Sequence, residues 1–272
     1  MNFSLTHCSA IITGASSGLG AEFARQLAPV AKSLLLVARR EEALNQIKAE
    51  LLALRADLQV RVCVADVATE EGRTRVVECV DVFDLKPNVL INNAGIGDYG
   101  DFASADAAKL RGQIDLNVTA LVLLTHAVLP RLAAPAGILN VSSLAGQVPM
   151  PDLAVYGASK AFVTSFSEAL RVELREKNIV VSALCPGPTP TNFGKNARRA
   201  GGPDTNRSGQ GLLRIAPDVV VRDGLDALVR DRACVFPGLG VATAGPLFRI
   251  MPRRLMRWVL ERRYRKDHQA EA

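Results

Sequence analysis

The chain has 272 residues, of which 49% are hydrophobic and 22% are charged, and this is the composition of an ordinary globular protein. It excludes a disordered chain, a collagen-like repeat and a small domain held by disulfides. The net charge is +6, yet eight basic and two acidic residues lie between Arg249 and His268, which leaves 25 of each sign elsewhere. The basic excess therefore belongs to one C-terminal segment of an otherwise neutral chain, and no nucleic-acid recognition motif accompanies it.

Apolar runs of strand length alternate with longer helical patterns through most of the chain. Several of these runs are unbroken stretches of Leu, Val and Ile, which is typical of strands buried on both faces. The predicted strands are Ala10–Thr13, Leu34–Ala38, Val60–Ala65, Val89–Asn92, Ile138–Ser142, Val180–Leu184 and Ala233–Phe236. The predicted helices are Leu19–Ala28, Glu41–Leu54, Glu70–Val80, Ala107–Leu132, Ala154–Lys177 and Asp218–Val229. This order predicts an α/β fold, a doubly wound and mostly seven-stranded parallel sheet flanked by helices.

The cysteines and the N-terminus favour a reduced, cytoplasmic protein. The five cysteines are odd in number, widely spaced and never arranged as CxxC, so a disulfide framework is not expected. The N-terminal residues lack the pattern of a signal peptide. The longest apolar stretch, Ala120–Leu129, is shorter than the roughly 18 residues that a membrane span needs. His7, His126 and His268 stand alone in the sequence, so we expect no metal site.

The first predicted strand runs directly into a glycine-rich turn, TGASSGLG, at residues 13–20. Glycines allow a tight turn and let a diphosphate approach the backbone, while the following helix presents free N–H groups and the positive end of its dipole. We therefore expect a dinucleotide cradle here, although a glycine-rich turn alone also fits an ordinary strand–helix connection. The cradle residues are Gly14, Ser16, Ser17, Gly18, Leu19 and Gly20.

Two arginines follow the second predicted strand, at the position that distinguishes the two nicotinamide dinucleotides. In NAD-binding domains an acidic residue near this point binds the adenosine 2′-hydroxyl. Here Ala38 is followed by Arg39 and Arg40. A carboxylate would repel a 2′-phosphate, whereas a guanidinium can bind one through two hydrogen bonds. The pair predicts NADP(H) in preference to NAD(H); the alternative is that both arginines only begin a solvated helix.

Three further polar segments come where predicted strands end or a helix begins. NNAG at 92–95 ends the fourth strand, Ser142 and Ser143 end the fifth, and YGASK at 156–160 opens a helix. Because ligands of open α/β sheets bind at the carboxyl ends of the strands, we expect these segments to meet in one crevice. Of the three tyrosines, only Tyr156 has a lysine four residues later, Lys160.

With these segments the sequence resembles the short-chain dehydrogenase/reductase family. TGASSGLG, Asp66 after the third strand, NNAG, Asn117, NVSS, YGASK and PGPTPT match the family's motifs in order and spacing, over about residues 8–240. The resemblance implies a Rossmann-like fold, a nicotinamide cofactor and a catalytic tetrad of Asn, Ser, Tyr and Lys. On this chain the tetrad is Asn117, Ser143, Tyr156 and Lys160.

The chemistry that the resemblance implies explains these residue types. Hydride that reaches a carbonyl carbon leaves an alkoxide in need of a proton, and Tyr156 would be the general acid. A free phenol titrates near pH ~10. We expect the charge of Lys160, one helical turn away, together with that of the oxidised nicotinamide, to lower the pKa of Tyr156. Ser143 would hydrogen-bond the substrate oxygen, and Asn117 would hold a water of the proton relay. Alternatively, Ser143 could cap a helix and Asn117 could be a polar residue on a helix face.

The resemblance also assigns the other cofactor contacts. Asp66 and Val67 match the pair that touches the adenine. The wall beside the adenosine and its ribose would be formed by Asn92, Ala94 and Gly95. Tyr156 and Lys160 would contact the nicotinamide end, with Lys160 on the ribose hydroxyls. The loop that meets the carboxamide would contain Pro186, Gly187, Thr189 and Thr191.

We therefore expect an oxidoreductase that interconverts a ketone or aldehyde and an alcohol with NADP(H). The segments that would shape the substrate pocket, 96–102, 144–153 and 188–211, contain few charges, which favours an apolar substrate. Their apolar residues include Tyr99, Phe102, Leu144, Val148, Met150, Leu153 and Phe193. The alternative is a catalytically silent NADP-binding sensor or regulatory protein, although such proteins usually lack part of the tetrad.

We divide the chain into a Rossmann-like domain, residues 1–244, and a basic helical extension, residues 245–272. A helix that begins near Pro252 would place Leu255, Met256, Val259 and Leu260 along one side. This stripe could pack on the body or on a partner subunit, or dock weakly on an anionic membrane surface. The two long predicted helices resemble those through which the family pairs its subunits, so we expect a homodimer or homotetramer.

Overall fold

The computed structural model describes residues 3–199 and 213–269, with side chains up to residue 265. Seven strands form one sheet: β1 Ser9–Thr13, β2 Ser33–Ala38, β3 Gln59–Val64, β4 Val89–Asn92, β5 Ala136–Val141, β6 Ile179–Leu184 and β7 Cys234–Val235. Their order is β3-β2-β1-β4-β5-β6-β7, and every neighbouring pair is parallel. This confirms the predicted doubly wound, Rossmann-like fold, and each predicted strand lies within two residues of the observed one.

Helices cover both faces of this sheet. They are α1 Gly18–Leu27, α2 Glu41–Leu54, α3 Glu70–Val82, α4 Ala107–Ile114, α5 Ala120–Val128, α6 Ala154–Glu173, α7 Phe193–Ala197, α8 Pro217–Val229, α9 Leu239–Ile250 and α10 Arg253–Gln269. Alternate strand residues point to opposite faces. Ile12 thus packs in one apolar cluster with Phe23 of α1 and Leu44 of α2. Ile11 packs in the other with Val76 of α3 and Leu124 of α5.

The winding reverses at β1, because β1 lies between β2 and β4. Such a reversal leaves a crevice at the carboxyl ends of the two central strands, where open α/β sheets bind their ligands. The chain leaves β1 at Thr13 and β4 at Asn92. The fold therefore brings the glycine-rich turn and the NNAG segment to one edge of the sheet.

The predicted helix Ala107–Leu132 is interrupted. A π-helical turn, Asp115–Thr119, separates α4 from α5, and a 3₁₀ helix, Leu129–Arg131, ends the stretch. By length and composition alone, Ala107–Arg131 could cross a membrane, and 39% of its most apolar 18-residue stretch is buried. The apolar run Ala120–Leu129, considered alone in the sequence, is shorter than a membrane span. In the structure α5 contacts α3 and β4, and its Leu124 and Val128 lie in the core.

Two helices, α7 and α9, were not predicted, and α9 changes the domain division. The expected boundary between residues 244 and 245 falls inside this helix. Val241 of α9 is fully buried, and a Cβ on Gly245 would overlap the ring of Phe236. The change in composition near residue 245 is therefore no break in the packing. The predicted stripe on α10 is split, since Met256 is buried while Leu255 and Val259 are exposed.

The five cysteines are free thiols, buried or half-buried. Cys185 and Cys234, far apart in the sequence, lie beside each other with their Sγ atoms 3.5 Å apart. They meet because β6 and β7 are neighbours in the sheet.

Candidate active site

The glycine-rich turn takes a conformation that needs its glycines. Gly14 and Gly18 have φ values of +66° and +57°, in the left-handed region that glycine enters without a Cβ clash. A Cβ on Gly20 would overlap the carbonyl oxygen of Gly14, because α1 begins directly above the turn. Ser17, the residue before α1, makes no side-chain capping hydrogen bond within the described structure. The N–H groups of the first turn of α1 are thus available to an anion.

Two residues that the sequence analysis did not select hold this turn in place. The hydroxyl oxygen of Thr13 accepts hydrogen bonds from the backbone N–H groups of Asn93 and Ala94, each at 3.0 Å. The side-chain amide of Asn93 in turn donates to the Thr13 carbonyl at 2.9 Å. These bonds tie the carboxyl ends of β1 and β4 together. The signal was present in the sequence, since Thr13 opens TGASSGLG and Asn93 is the second residue of NNAG.

Arg39 and Arg40 lie beside the turn after β2. Arg40 donates from Nη2 to the Ser16 hydroxyl at 3.3 Å, so its guanidinium reaches the cradle. Nη1 of Arg39 lies 3.6 Å from Oδ2 of Asp66, and 70% of its side chain is exposed. The geometry places the Arg40 guanidinium at the cradle and the Arg39 guanidinium beside Asp66, and among the described residues Asp66 is the one carboxylate paired with either.

Asp66 and Val67 form the turn that leads from β3 into α3. The Asp66 carboxylate accepts from the backbone N–H of Ala68 at 3.1 Å, and Val67 is buried. A Cβ on Gly72 would overlap the Asp66 carbonyl, so α3 packs directly against this turn. The pair is held rigidly at the same edge of the sheet as the cradle.

The four predicted catalytic residues converge at the carboxyl ends of β4 and β5. A Cβ on Gly95 would lie 3.1 Å from Oδ1 of Asn117 and 3.3 Å from Nζ of Lys160, so both side chains meet at this glycine. Nζ of Lys160 is 5.8 Å from the centroid of the Tyr156 ring. Tyr156 of α6 is hydrogen-bonded to Ser143 in the loop after β5, so this bond joins the two elements. The same bond lowers the pKa of the phenol.

Ser143 and Asn117 also fill the structural roles that were their alternatives. Ser143 caps the 3₁₀ helix Leu144–Gln147 by accepting from the N–H of Ala145 at 3.1 Å. Asn117, in the π-helical turn, accepts from the N–H of Ile96 and donates to its carbonyl, both at 2.9 Å. It also donates to the Ser159 hydroxyl at 3.1 Å. One N–H of the Asn117 amide thus positions the loop after β4 through Ile96, and the other ties the π-helical turn to Ser159 of α6.

Lys160 by itself does not lower the pKa of Tyr156 in this structure, contrary to its part of the expectation. Burial raises the pKa of Tyr156 to about 12, and the hydrogen bond with Ser143 opposes that rise. Burial also lowers the pKa of Lys160 to about 8, and its ammonium donates to the Val141 carbonyl at 2.8 Å. The physical reason is that desolvation disfavours the charged form of each group, and the ammonium is held at the strand end rather than at the phenol oxygen.

Asn92 belongs to a buried polar network rather than to the wall of the crevice. Its amide donates to Oδ1 of Asn140 at 2.8 Å and to the Thr125 hydroxyl at 2.9 Å. Asn140 then donates to the Ser167 hydroxyl at 2.9 Å. The side chain of Asn92 therefore does not face the crevice, contrary to the prediction, because it joins β4 to β5 and α5. Ala94 remains at the cradle, beside the position of a Gly14 Cβ.

The loop after β6 reaches across to the cradle. A Cβ on Gly187 would lie 2.5 Å from the Leu213 carbonyl oxygen, so the close packing requires glycine. The Thr189 hydroxyl donates to the Gly187 carbonyl at 3.1 Å. The side chain of Thr191 lies 3.5 Å from the position of a Gly18 Cβ. The predicted loop residues Pro186, Gly187, Thr189 and Thr191 thus run between Ser143 and the start of α1.

α7 places an aromatic ring against the phenol. The ring centroids of Phe193 and Tyr156 are 5.3 Å apart, with an angle of 48° between the planes. Phe193 also lies against Gly97, because a Cβ on Gly97 would be 3.0 Å from Cζ of Phe193. Tyr99 is buried, but 63% of Phe102 is exposed, so Phe102 is not part of the wall. Residues 200–211 of the predicted pocket lie outside the described residues.

An ion pair that sequence reasoning missed joins the two loops on the substrate side. Arg199 donates from Nε and Nη2 to the carboxylate of Asp98, at 2.6 to 3.1 Å, and from Nη1 to the Asp101 carbonyl at 2.7 Å. Asp98 is buried, with 9% of its surface exposed. The partners are about a hundred residues apart in the sequence, so no spacing pattern predicts their contact.

The C-terminal extension contacts the same region. Arg249 of α9 donates to Oε1 of Gln147 at 2.9 Å and to Oε1 of Glu168 at 2.7 Å. Gln147 ends the 3₁₀ helix that Ser143 begins. The extension is thereby attached to the segment that follows Ser143, one of the predicted catalytic residues.

These residues fit a nicotinamide dinucleotide. The turn takes its close packing only because its glycines lack a Cβ, the first N–H groups of α1 follow it, and the Arg40 guanidinium reaches Ser16 within it. Within residues 3–199 and 213–269, no group of three or more His, Cys, Asp or Glu side chains could hold a metal ion. The polar residues that converge beside the cradle are those of the tetrad.

Comparison with known proteins decides the family. The family model for short chain dehydrogenases matches residues 9–201, which is most of the chain. The chain belongs to the short-chain dehydrogenase/reductase family. It is accordingly an oxidoreductase that interconverts carbonyl and alcohol groups with a nucleotide cofactor.

Relatives of this short-chain dehydrogenase/reductase include enzymes of differing substrate and cofactor. Sulfoacetaldehyde reductase 2 of Chromohalobacter salexigens is 41% identical over 67% of this chain and 73% of its own. A solved short-chain dehydrogenase from Sphingobium yanoikuyae, in complex with NADPH, is 30% identical with a TM-score of 0.75, and the match covers 97% of this chain and 96% of that one. A 3-ketoacyl-(acyl-carrier-protein) reductase from Brucella melitensis, complexed with NADH, is 25% identical with a TM-score of 0.72, over 86% and 99%.

Proposed function

We propose that this oxidoreductase reduces an apolar ketone or aldehyde with NADPH, and oxidises the corresponding alcohol, with Tyr156 as the general acid and base. The observation that carries the proposal is the meeting of Tyr156, Ser143 and Lys160 beside a cradle that Arg40 reaches. A protein that only sensed the nucleotide would have no use for a phenol hydrogen-bonded to a serine at that edge of the sheet.

The preference for NADP(H) rests on the two arginines after β2. Arg39 is largely exposed and Arg40 touches the cradle, so both guanidinium groups can turn toward a phosphate on the adenosine ribose. The acidic residues that follow, Glu41 and Glu42, belong to the first turn of α2. The relative from Sphingobium yanoikuyae is solved with NADPH, which agrees with this choice, and the one from Brucella melitensis is solved with NADH.

The chain's own residues handle the proton. A bound dihydronicotinamide supplies hydride to the carbonyl carbon. Ser143 is positioned to hydrogen-bond the substrate oxygen as it gains charge. Because burial raises the pKa of Tyr156 to about 12, the phenol is protonated at neutral pH and is ready to donate. The Ser143 hydroxyl, whose hydrogen bond opposes the rise in the pKa of Tyr156, also stabilises the phenolate left behind.

The proposal of an apolar substrate rests on the described walls of the site. Phe193 lies on Tyr156, and Leu144 is buried beside Ser143. Arg199, which holds the substrate-side loops, is paired with the Asp98 carboxylate. Its charge is therefore not available to bind an anionic substrate. This contrasts with the relative named for sulfoacetaldehyde, a small sulfonate.

Turnover measurements with both nucleotides test these proposals. We expect kcat/KM to be higher with NADPH than with NADH, and to be higher for bulky apolar ketones than for sulfoacetaldehyde. The double variant Arg39→Ala/Arg40→Ala should lose roughly tenfold to a hundredfold in NADPH affinity, as for charged hydrogen bonds to a phosphate, with NADH affinity unchanged. Arg175→Ala, an exposed arginine on the body, is the matched control.

Three outcomes would contradict the proposals. Equal use of NADH by the wild-type protein, with no effect of the double variant, would remove the NADP(H) preference. Best turnover of small charged carbonyls would remove the apolar substrate. Tight NADPH binding with no turnover across a broad carbonyl panel would favour the silent sensor.

We also propose that subunits pair through α5 and α6. Leu123 of α5 and Phe162 and Val172 of α6 are exposed large apolar residues, and Phe162 stacks on Phe166 at 5.9 Å between ring centroids. Sedimentation velocity should show a dimer or tetramer for the wild type and dissociation for Phe162→Glu, whereas the exposed Val82→Glu of α3 should leave the assembly unchanged. A monomeric wild type would contradict this proposal.

A further inference from the structure

The C-terminal helix α10 has an exposed apolar face in addition to the one that it buries. Met256 is buried and Leu260 is half-buried, and these residues attach the helix to the body. Leu255, Trp258 and Val259 are exposed to 48%, 57% and 43%. Because residues three and four apart share one side of a helix, these three form a single stripe that faces away from the body.

Arginines surround this stripe. Arg254, Arg257 and Arg262 are exposed, and within the described part of the chain none of them is paired with a carboxylate. The guanidinium of Arg262 lies 5.5 Å from the centroid of the Trp258 ring. We call Leu255, Trp258 and Val259, with Arg254, Arg257 and Arg262, the terminal patch.

The charge of the terminal patch contrasts with that of the whole molecule. The segment from Arg249 to His268 holds an excess of six basic residues, and the rest of the chain has 25 of each sign. The net charge of the chain thus comes from the segment that carries this exposed apolar stripe. Long-range attraction to a negatively charged surface would orient the protein with this end foremost.

We propose that the terminal patch docks the protein on the surface of an anionic membrane. A helix with an apolar stripe, an interfacial tryptophan and flanking arginines lies in the plane of the interface, where its apolar side chains enter the acyl boundary. The arginines then meet anionic headgroups. An apolar substrate of the proposed reaction would be concentrated in the same membrane, but the docking does not depend on that reaction.

A second copy of the chain fits this surface less well. In a two-fold contact the same patch faces itself, so Arg254, Arg257 and Arg262 of one copy would approach those of the other. Like charges brought together across an interface cost free energy. Anionic lipid removes this repulsion and also accepts the apolar stripe.

Trp258 is the one tryptophan of the chain, and it reports directly on the patch. With vesicles of phosphatidylcholine and phosphatidylglycerol in a two-to-one ratio, we expect a blue shift of its emission and co-sedimentation of the full-length protein. Vesicles of phosphatidylcholine alone should give little of either. High salt should reverse the binding to the anionic vesicles, because surface charges are screened.

Variants separate the two parts of the patch. The triple variant Arg254→Gln/Arg257→Gln/Arg262→Gln should bind anionic vesicles roughly a hundredfold more weakly, since each basic residue near the surface contributes about a fivefold gain. The control Lys109→Gln/Arg175→Gln/Lys177→Gln removes the same charge at exposed positions of the body. Its loss of affinity for anionic vesicles should be less than half of the loss in the first triple variant. Leu255→Ser/Val259→Ser should keep the salt-sensitive attraction but lose the blue shift.

The proposal is overturned if the wild type does not sediment with anionic vesicles, or if both triple variants lose binding equally. It is also overturned if Trp258 emission shifts with protein concentration in the absence of lipid and not with vesicles, which would assign the patch to a second copy. Circular dichroism of each variant checks that it is folded. All substitutions are at exposed positions, and the NADPH-dependent activity on a soluble substrate gives an independent reading of the site.

Discussion

Gly20 is the residue at which the cradle leaves least room. A Cβ there would overlap the Gly14 carbonyl oxygen, so we expect Gly20→Ala to displace α1 from the turn. The variant should lose NADPH binding, and its free energy of unfolding should fall by about 2 kcal/mol or more, as for other overpacked sites. Fluorescence titration with NADPH and urea unfolding measure the two effects.

Gly112 provides the matched control for that substitution. It lies inside α4, and a Cβ there would meet nothing within 4 Å. Gly112→Ala should therefore raise the free energy of unfolding by about 0.5 to 1 kcal/mol, because alanine loses less backbone entropy in a helix. Equal behaviour of the two alanine variants would contradict the account of the turn.

Lys160 gives the stability of the protein a specific dependence on pH. Burial lowers its pKa to about 8 from its ordinary 10.5, so between these values the unfolded chain binds more protons than the native one. The free energy of unfolding therefore rises with pH over this interval. The contribution from Lys160 should grow by about 2 kcal/mol between pH 8 and 10 and be missing in Lys160→Met.

Urea unfolding of both proteins, without added nucleotide, tests this from pH 7.5 to 10. The raised pKa of Tyr156 acts in the opposite direction, since stability falls between its ordinary value of 10 and about 12, and the upper limit of pH 10 keeps it out of the measurement. A difference between wild type and Lys160→Met that does not change with pH would show that the ammonium is not desolvated.

At the scale of elements, the π-helical turn between α4 and α5 is the feature that positions the loop after β4. Asn117 bonds both backbone groups of Ile96 and the Ser159 hydroxyl. Asn117→Ala leaves those buried partners unsatisfied, so the free energy of unfolding should fall by about 2 to 3 kcal/mol, and kcat should fall with it. Asn45→Ala, on the exposed side of α2, should change stability by less than about 0.5 kcal/mol. Equal effects would contradict the positioning role.

The sequence predicts the regular elements well and the irregular ones poorly, for physical reasons. Strands such as Val89–Asn92 are buried on both faces and therefore read as continuous apolar runs. The π-helical turn Asp115–Thr119 is a single turn inside a long helical stretch, too short for the apolar pattern to separate α4 from α5. α9 was missed because its short buried face, with Val241 and Gly245, gives only a weak period.

For the candidate site, residue identities could be predicted and their electrostatics could not. The spacing of Ser143, Tyr156 and Lys160 indicated that these side chains meet. The pKa of Tyr156 depends on how far burial outweighs the nearby ammonium, and Lys160 makes its hydrogen bond to a strand carbonyl. The spacing of residues in the sequence predicts neither the pKa of Tyr156 nor the hydrogen-bond partner of Lys160. The side chain of Asn92 was misplaced because its partner, Asn140, is a neighbour only in the folded sheet.

For the whole molecule, the arrangement separates two regions. The candidate active site is built from the loops after β1, β4, β5 and β6, while the net charge lies on α9 and α10. Arg249 connects them, since it bonds Gln147 in the segment that follows Ser143. The helices that carry the net charge therefore adjoin the segment that follows Ser143.

The most direct measurement is NADPH binding and ketone reduction by Tyr156→Phe, with Tyr264→Phe of α10 as the matched control. Tyr156→Phe removes the proton donor but keeps the ring that packs against Phe193. Its kcat should fall by roughly a thousandfold, the scale of a lost general acid, with the Kd for NADPH within about threefold of wild type, while Tyr264→Phe keeps both values. Turnover by Tyr156→Phe at a rate close to that of the wild type would contradict the assignment of Tyr156 as the proton donor.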